Sequence, residues 1–142
     1  MKIQTLHEDI IWPSYAHDGD SGMDVFSPKS YVIAAGKRML IPCGFKLEIP
    51  YGYEIQVRPK SGLALKHGIT VLNTPGTIDS NYRGEVCVIL INTGDSDYEI
   101  QKDSKIAQIV LTPVAYVPEL TEGVVESAET TRGCGGFGST GV

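Results

Sequence analysis

Apolar and polar residues alternate over much of the chain, and this pattern predicts short β-strands. Residues 53–58 alternate strictly, which is typical of a strand with one buried face. Residues 86–91 are continuously apolar and end at a turn sequence, so they predict a strand that is buried on both faces. Residues 105–111 predict a further apolar strand near the end of the same domain.

Clusters of Gly, Pro, Asn and Asp separate the predicted strands and mark turns. The pattern predicts only one helix, over residues 61–68, with Ser61 as its N-cap and Gly68 at its end. Many short strands joined by Gly- and Pro-rich turns indicate an all-β sandwich or barrel. Because no repeat and no linker divides the sequence, we expect one domain.

The composition narrows the class of protein further. The chain has 142 residues, of which 42% are apolar and 20% charged, as in an ordinary globular domain. No stretch reaches the ~18–20 consecutive apolar residues of a membrane span, and the N-terminal residues lack the pattern of a secretory signal. Three widely separated cysteines argue against a disulfide framework or a zinc site. We therefore expect a cytoplasmic protein that does not bind membranes.

The charge distribution bears on the kind of ligand. The net charge is −5 and there is no basic block, which argues against binding to a long nucleic acid. Four cations are nevertheless concentrated in one segment: Arg58, Lys60, Lys66 and Arg83. A small phosphorylated ligand therefore remains compatible with this acidic protein.

The C-terminal residues are the most unusual part of the sequence. Apolar periodicity fades from about Thr121, and residues 131–142 are rich in glycine. Such a segment is either a floppy terminus or a mobile lid. In the second interpretation Arg132 contacts a terminal phosphate, and Phe137 packs on a planar ligand.

Other segments also leave two interpretations open. Asp79, in a turn before an apolar strand, is either a capping residue or a group that orients and deprotonates a water molecule. Lys60 and Ser61 begin the predicted helix and form either a solvated helix start or an anion site. Asp24 either holds a hydrated Mg²⁺ ion or is one of several solvated turn carboxylates. Gln108, alone in an apolar strand, is either an outward-facing residue or a donor to a ligand.

Taken in order, five segments resemble the five sequence motifs of the trimeric dUTP pyrophosphatases (dUTPases). They read AHDGDSGMDVFS, RPKSGLALKHG, NTPGTIDSNYRGEV, KIAQIV and RGCGGFGSTG, and they span the chain from Ala16 to Gly141. The resemblance implies a jelly-roll-like, distorted antiparallel β barrel of the dUTPase type over residues 1–120. It also implies a homotrimer with three active sites at subunit interfaces, each closed by a flexible C-terminal arm, residues 121–142, from a neighbour.

The resemblance also implies roles for individual residues. Asp79 matches the aspartate that activates the attacking water, Tyr82 the tyrosine that stacks under the deoxyribose and excludes a 2′-hydroxyl, and Asp24 the aspartate that holds Mg²⁺. The other implied substrate-binding positions are Lys60, Ser61, Gly62 and Gln108 for phosphates, Asn73, Thr77, Ile78 and the main chain near Cys87 for uracil, Arg132, Gly138, Ser139 and Thr140 for the γ-phosphate, and Phe137 for closure over the uracil ring.

Three positions depart from the family pattern. Lys60 stands where the family usually has arginine, so a point charge replaces a bidentate donor. We expect an altered phosphate affinity from this change and not a loss of activity. Met23 replaces a common tyrosine and Asn81 a common aspartate, and neither is a reacting group.

The implied reaction is hydrolysis of dUTP to dUMP and pyrophosphate by Mg²⁺-assisted attack of water at the α-phosphorus. It limits uracil in DNA and supplies dUMP for thymidylate synthesis. Two alternatives remain. One is a dCTP deaminase-like enzyme of the same fold, although those enzymes use a catalytic glutamate and the hairpin here carries Asp79. The other is a trimer that binds nucleotides without catalysis.

Overall fold

A computed structural model describes residues 1–125, 130–137, 139 and 141. Short strands and one helix account for its regular structure. The strands are β1 (Lys2–Thr5), β2 (Met23–Phe26), β3 (Tyr31–Ile33), β4 (Arg38–Pro42), β5 (Phe45–Glu48), β6 (Tyr53–Arg58), β7 (Ile69–Val71), β8 (Gly76–Ile78), β9 (Cys87–Asn92), β10 (Tyr98–Ile100) and β11 (Lys105–Pro113), and the helix is α1 (Ser61–His67).

The strands pair in antiparallel fashion into four sheets around one core. Their orders are β1-β5, β3-β10, β2-β11-β6-β8 and β4-β9-β7. The predicted all-β class with one short helix is therefore confirmed. Within the described residues the strands form separate packed sheets and do not join into one closed barrel.

The four-stranded and the three-stranded sheet, together with the two smaller sheets, contribute buried residues to one core. Val25, Ile55 and Ile109 from the first sheet, and Val88 and Leu90 from the second, are completely buried. Burial of each such side chain stabilises the fold by about 1.5–3 kcal/mol. The period-2 pattern of the strands therefore positions both sheets, because it directs one row of side chains from each into the same core.

Strand β9 differs from its prediction. Val88 and Leu90 face the core, whereas Cys87, Ile89 and Ile91 on the opposite face are only half-buried. The expectation that both faces are buried is wrong for the single chain, because only one face of this continuous apolar run packs on the core. The other face carries Cys87 and Ile89 to the cavity described below.

The helix α1 lies where the sequence predicts it, but a different residue forms its N-cap. The N-cap is Lys60, in an extended conformation and without a side-chain capping hydrogen bond, so the prediction of Ser61 as the cap is wrong. Gly68 ends the helix as predicted. Its φ of 66° is left-handed, and a Cβ there would lie 2.8 Å from the backbone nitrogen of Gly94. In the part of the chain that the structure describes, no helix has the length and apolar character needed to cross a membrane.

Candidate active site

Six of the predicted site residues line one cavity of about 230 Å³ between β8, β9 and the turn that joins them. They are Asn73, Thr77, Ile78, Asp79, Tyr82 and Cys87, and the remaining lining residues are Leu40, Glu85, Val86 and Ile89. The sequence predicted a hairpin here, but β8 pairs with β6 whereas β9 pairs with β4 and β7, so residues 73–87 connect two sheets and are not a hairpin. This connection, which we call the β8–β9 segment, presents a concave surface with carboxylates, an amide and an aromatic ring on it.

Close packing shapes the wall of this cavity. Gly76 begins β8 opposite Val57 of β6, and a Cβ at Gly76 would lie 3.2 Å from the Asn73 amide nitrogen and 3.3 Å from Val57 Cβ. A glycine therefore lets the Asn73 side chain lie against the strand. Just after β8, the backbone N–H of Tyr82 donates to the carbonyl oxygen of Asp79 at 3.1 Å. This turn leaves the Asp79 side chain exposed at the cavity.

Contacts with its own turn fix the position of Tyr82. Its hydroxyl donates to the carbonyl oxygen of Glu85 at 3.0 Å, and a Cβ at Gly84 would lie 2.2 Å from the same hydroxyl oxygen. The Arg83 guanidinium donates to the carbonyl oxygens of Ser80 and Tyr82 at 2.7 and 2.8 Å. The aromatic ring is therefore held against the turn by its hydroxyl, with 46% of the residue exposed.

Glu85 is a cavity residue that the sequence analysis missed. One of its carboxylate oxygens accepts a hydrogen bond of 2.7 Å from the backbone N–H of Gly44, which connects the β8–β9 segment to the turn before β5. Its carbonyl oxygen also accepts the Cys87 thiol at 3.6 Å. Burial, and to a smaller extent the charge of Glu85, raise the pKa of Cys87, so this thiol stays protonated. The signal available in the sequence was the position of Glu85 directly before the apolar run.

A second cluster surrounds Asp24, which is buried in β2 with 5% of its surface exposed. Lys60 Nζ donates to Asp24 Oδ1, and Lys105 Nζ donates to Oδ2 at 2.6 Å. Burial alone would raise the pKa of Asp24, but the hydrogen bonds from Lys105 and Lys60 outweigh it, and the pKa lies below its usual value. Lys105 is the second functional candidate that sequence reasoning missed.

Gln108 connects this cluster to the start of α1. It pairs with Asp24 of β2 on one side and with Arg58 of β6 on the other. Its Nε2 donates to the carbonyl oxygen of Pro59 at 3.0 Å. The predicted phosphate-binding residues Ser61 and Gly62 follow at the first turn of the helix, exposed to solvent.

The same four-stranded sheet carries both groups of site residues. Asp24 lies in β2, Gln108 in β11, and Thr77 and Ile78 in β8, where Ile78 pairs with Ile55 of β6. In the strand order of this sheet β6 lies between β11 and β8, so the two groups of site residues share one sheet but do not lie on adjacent strands.

The described residues of the C-terminal segment do not join the cavity of their own chain. Arg132 Nε donates to the carbonyl oxygen of Gly135 at 2.9 Å, and the Gly135 N–H donates back to Arg132 at 3.0 Å. Ser139 follows in the next turn and Phe137 is fully exposed. None of these three predicted contacts lines the cavity, and the predicted contacts Gly138 and Thr140 lie outside the described residues.

Comparison with known proteins gives the same family at the levels of sequence and fold. A family model described as dUTPase matches residues 8–141. The chain is 52% identical over 141 residues to the deoxyuridine 5′-triphosphate nucleotidohydrolase of Clostridium tetani, covering 99% of this chain and 96% of that protein.

Two solved phage structures have a similar fold. The Staphylococcus bacteriophage 80alpha dUTPase with dUPNHPP has a TM-score of 0.90 and 25% identity, with 99% of this chain and 98% of that chain covered. The D95N mutant dUTPase from phage phi11 of S. aureus, whose structure contains a structural Mg(II) ion, has a TM-score of 0.79 and 23% identity, with 86% and 95% covered. The match over nearly the whole length, together with the five motifs, confirms the resemblance, and the chain belongs to the dUTPase family.

Proposed function

We propose that this chain hydrolyses dUTP to dUMP and pyrophosphate in the cavity lined by the β8–β9 segment. The observation that carries the proposal is the presence of Asp79, Tyr82 and Asn73 on the wall of that one cavity. A general base, an aromatic ring to stack on the sugar and an amide to hydrogen-bond the uracil are then available to a single nucleotide.

Uracil is recognised by the β8–β9 segment in this proposal. Asn73, Thr77 and Ile78, with the main chain near Cys87, supply donors and acceptors to the edge of the base. Cytosine presents these groups in a different order, which would leave buried polar groups unpaired, and such mismatches discriminate strongly between substrates. The methyl group of thymine would collide with the backbone of the β8–β9 segment. The Tyr82 ring, held on its turn, stacks under the deoxyribose and excludes a 2′-hydroxyl.

Asp79 is the general base. Its carboxylate is exposed at the cavity, so it can accept a proton from a water molecule that attacks the α-phosphorus. The new bond forms from the water oxygen to phosphorus, and the bond from phosphorus to the bridging oxygen of pyrophosphate breaks. Pyrophosphate leaves with that electron pair. Lys60 offsets the negative charge that develops on the leaving group.

The remaining phosphate contacts come from two parts of the chain. Lys60, Ser61, Gly62 and Gln108 bind phosphates from the side of the four-stranded sheet. Arg132, Ser139, Gly138 and Thr140 bind the γ-phosphate, and Phe137 closes over uracil. The full exposure of Phe137 in its own chain supports an arm, residues 121–142, that acts on a neighbouring subunit. The active form in this proposal is a homotrimer of β domains, residues 1–120, that share three sites.

Asp24 would hold, through water, a magnesium ion that the triphosphate brings, because Lys60 and Lys105 already contact both of its carboxylate oxygens. Mg²⁺ is usually bound through one or two carboxylates plus substrate phosphates and waters. Among residues 1–125, 130–137, 139 and 141, no group of three His, Cys, Asp or Glu side chains forms a metal cage, so Asp24 is the single carboxylate that we assign to the ion. When bound, Mg²⁺ neutralises charge on the phosphates. The protein holds the cations Lys60 and Lys105 at the same carboxylate.

A cytoplasmic location agrees with three free thiols, of which Cys43 is buried and Cys134 exposed. In that compartment the reaction limits uracil in DNA and supplies dUMP for thymidylate synthesis.

The test is a release assay with dUTP, dCTP, dTTP and UTP, each with and without Mg²⁺. We expect pyrophosphate from dUTP alone, and only with Mg²⁺. Ammonia is measured in parallel, because Glu85 is a second carboxylate in the cavity and a deaminase of this fold would release ammonia from dCTP. Ammonia release, or nucleotide binding without any turnover, would overturn the proposal.

A further inference from the structure

Lys105, the first residue of β11, contacts Asp24 of the second cluster. The proposed reaction assigns no role to Lys105. Its Nζ lies 2.6 Å from Asp24 Oδ2. The Asp24 side chain is only 6% exposed, whereas that of Lys105 is 47% exposed and that of Lys60 is 28% exposed. A buried carboxylate therefore holds two ammonium groups at its surface, one on each oxygen.

A β-bulge places Lys105 at this carboxylate. The pairing of β11 with β2 shifts register between Lys105 and Ala107, so that Lys105 lies opposite Phe26. Without the shift, Lys105 would lie opposite Ser27, which is completely buried on the core side of the sheet. Residues that pair across a ladder share a face, and alternate residues of one strand do so too. The bulge therefore brings Lys105 to the face of Asp24, as bulges next to active sites commonly redirect a side chain.

Lys105 changes the net charge of the cluster. Asp24 with Lys60 alone would be a neutral pair, and the Lys60 ammonium would be held by the full charge of the carboxylate. With Lys105 the cluster carries two positive charges and one negative charge, so it is cationic overall. Because Lys105 occupies Oδ2, the carboxylate is fixed with Oδ1 toward Lys60, and one negative charge is shared between two cations.

We infer that Lys105 is a positioning residue for phosphate binding: through Asp24 it orients Lys60, and because it shares the carboxylate charge, the pair of ammonium groups keeps a net positive charge that attracts the triphosphate. This inference rests on the proposed function. Lys60 is a single point charge where the family has arginine, so its position depends on the groups that hold it. Lys105 acts on the nucleotide only through Asp24 and Lys60.

The experiment measures calorimetric binding of the α,β-imido analogue of dUTP and of deoxyuridine, which has no phosphate. The variants are Lys105→Met, Lys105→Arg, Lys60→Met and the double variant, all as full-length protein. Lys102→Met is the matched control, since it removes an exposed lysine three positions away from Lys105. Thermal unfolding is followed for each variant, and Lys105→Gln replaces Lys105→Met if the latter does not fold.

We expect Lys105→Met to weaken binding of the analogue about tenfold, as loss of one charge-assisted contact would. Binding of deoxyuridine, and of both ligands to Lys102→Met, should not change. Lys105→Arg should restore binding to within about twofold. In the Lys60→Met background, the Lys105→Met change should have less than about a twofold effect, because the two residues act in series.

Unchanged binding of the analogue to Lys105→Met would overturn the inference. Equal losses in the presence and absence of Lys60 would indicate a direct contact with phosphate, and equal losses for deoxyuridine a general structural effect; either result rejects a positioning role. If the wild-type protein binds the analogue and turns over dUTP while any of these results holds, only the inference fails. If the wild-type protein does not bind the analogue, the proposed function fails with it.

Discussion

Gln108 Nε2 donates a hydrogen bond of 3.0 Å to the carbonyl oxygen of Pro59 and so connects β11 with the segment that enters helix α1. The two residues are 49 positions apart in sequence. The opposite side of the same amide packs on Gly22, where a Cβ would lie 2.4 Å from Gln108 Oε1. The Gln108 side chain therefore lies between Gly22, directly before β2, and Pro59, directly before the residues assigned to phosphates.

Replacement of Gln108 by Leu should weaken both the fold and the substrate complex. A part-buried carbonyl oxygen of Pro59 would lose its donor, which costs about 1–3 kcal/mol in unfolding free energy. We also expect the KM for dUTP to rise several-fold. Urea unfolding and steady-state kinetics measure the two effects, with Gln101→Leu, an exposed residue outside the site, as the control. A variant with the wild-type KM would show that Gln108 does not organise the phosphate side.

Replacement of Gly84 by Ala should reduce sugar selectivity. The added Cβ would lie 2.2 Å from the hydroxyl oxygen and 2.4 Å from Cζ of Tyr82, so the ring must move away from its turn. We expect the ratio of kcat/KM for dUTP over UTP to fall about tenfold, which corresponds to ~1.4 kcal/mol. Gly123→Ala is the matched control, because nothing lies within 4 Å of a Cβ there. An unchanged ratio would contradict the role assigned to Tyr82.

Replacement of Asp79 by Asn should abolish turnover and spare binding. The amide keeps the size of the side chain but cannot accept the proton of the attacking water. We expect kcat to fall at least about a hundredfold, since general base catalysis contributes about 10²–10⁴-fold, with dUTP affinity within about tenfold of wild type. Single-turnover kinetics and calorimetry separate the two quantities. Asp95→Asn, an exposed turn residue, serves as the control. If the Asp79 variant keeps most of its rate, another group is the base.

A chain that ends at Thr131 should fold and assemble but barely hydrolyse dUTP. The described residues beyond this point are exposed or partly exposed, so their removal should leave the melting temperature within a few degrees. Sedimentation should still report a trimer. Full activity of the shortened chain would show that the segment has no catalytic part.

Mixed trimers test whether the arm acts on a neighbour. The Asp79→Asn chain has an intact arm, and the shortened chain has an intact Asp79. If each site combines Asp79 of one subunit with the arm of another, trimers refolded from both chains should recover part of the activity that either lacks alone. If the mixed trimers are as inactive as either parent chain, the active sites do not combine Asp79 of one subunit with the arm of another.

Much of the fold was accessible from local features of the sequence. Strict alternation over residues 53–58 predicted β6 with its bounds, and the glycine at position 68 predicted the end of α1, because both depend on the conformation of a few adjacent residues. Asp79 and Tyr82 of the β8–β9 segment were also identified from sequence, and they line the cavity together, although the segment is not the predicted hairpin. Their proximity follows from a short turn.

Other features required the tertiary structure. One is the exposure of one face of β9, which depends on what packs against the strand. The others are contacts between segments that are distant in sequence: the hydrogen bond that the Gly44 N–H donates to the Glu85 carboxylate, and the contact of Lys105 with Asp24. The reason is geometric. A strand's period assigns its residues to two faces but does not show where a bulge exchanges those faces, since that depends on the pairing partner. The motifs and the class of the fold could thus be derived from local patterns, whereas the partners of the buried carboxylate were decided only when the strands had paired.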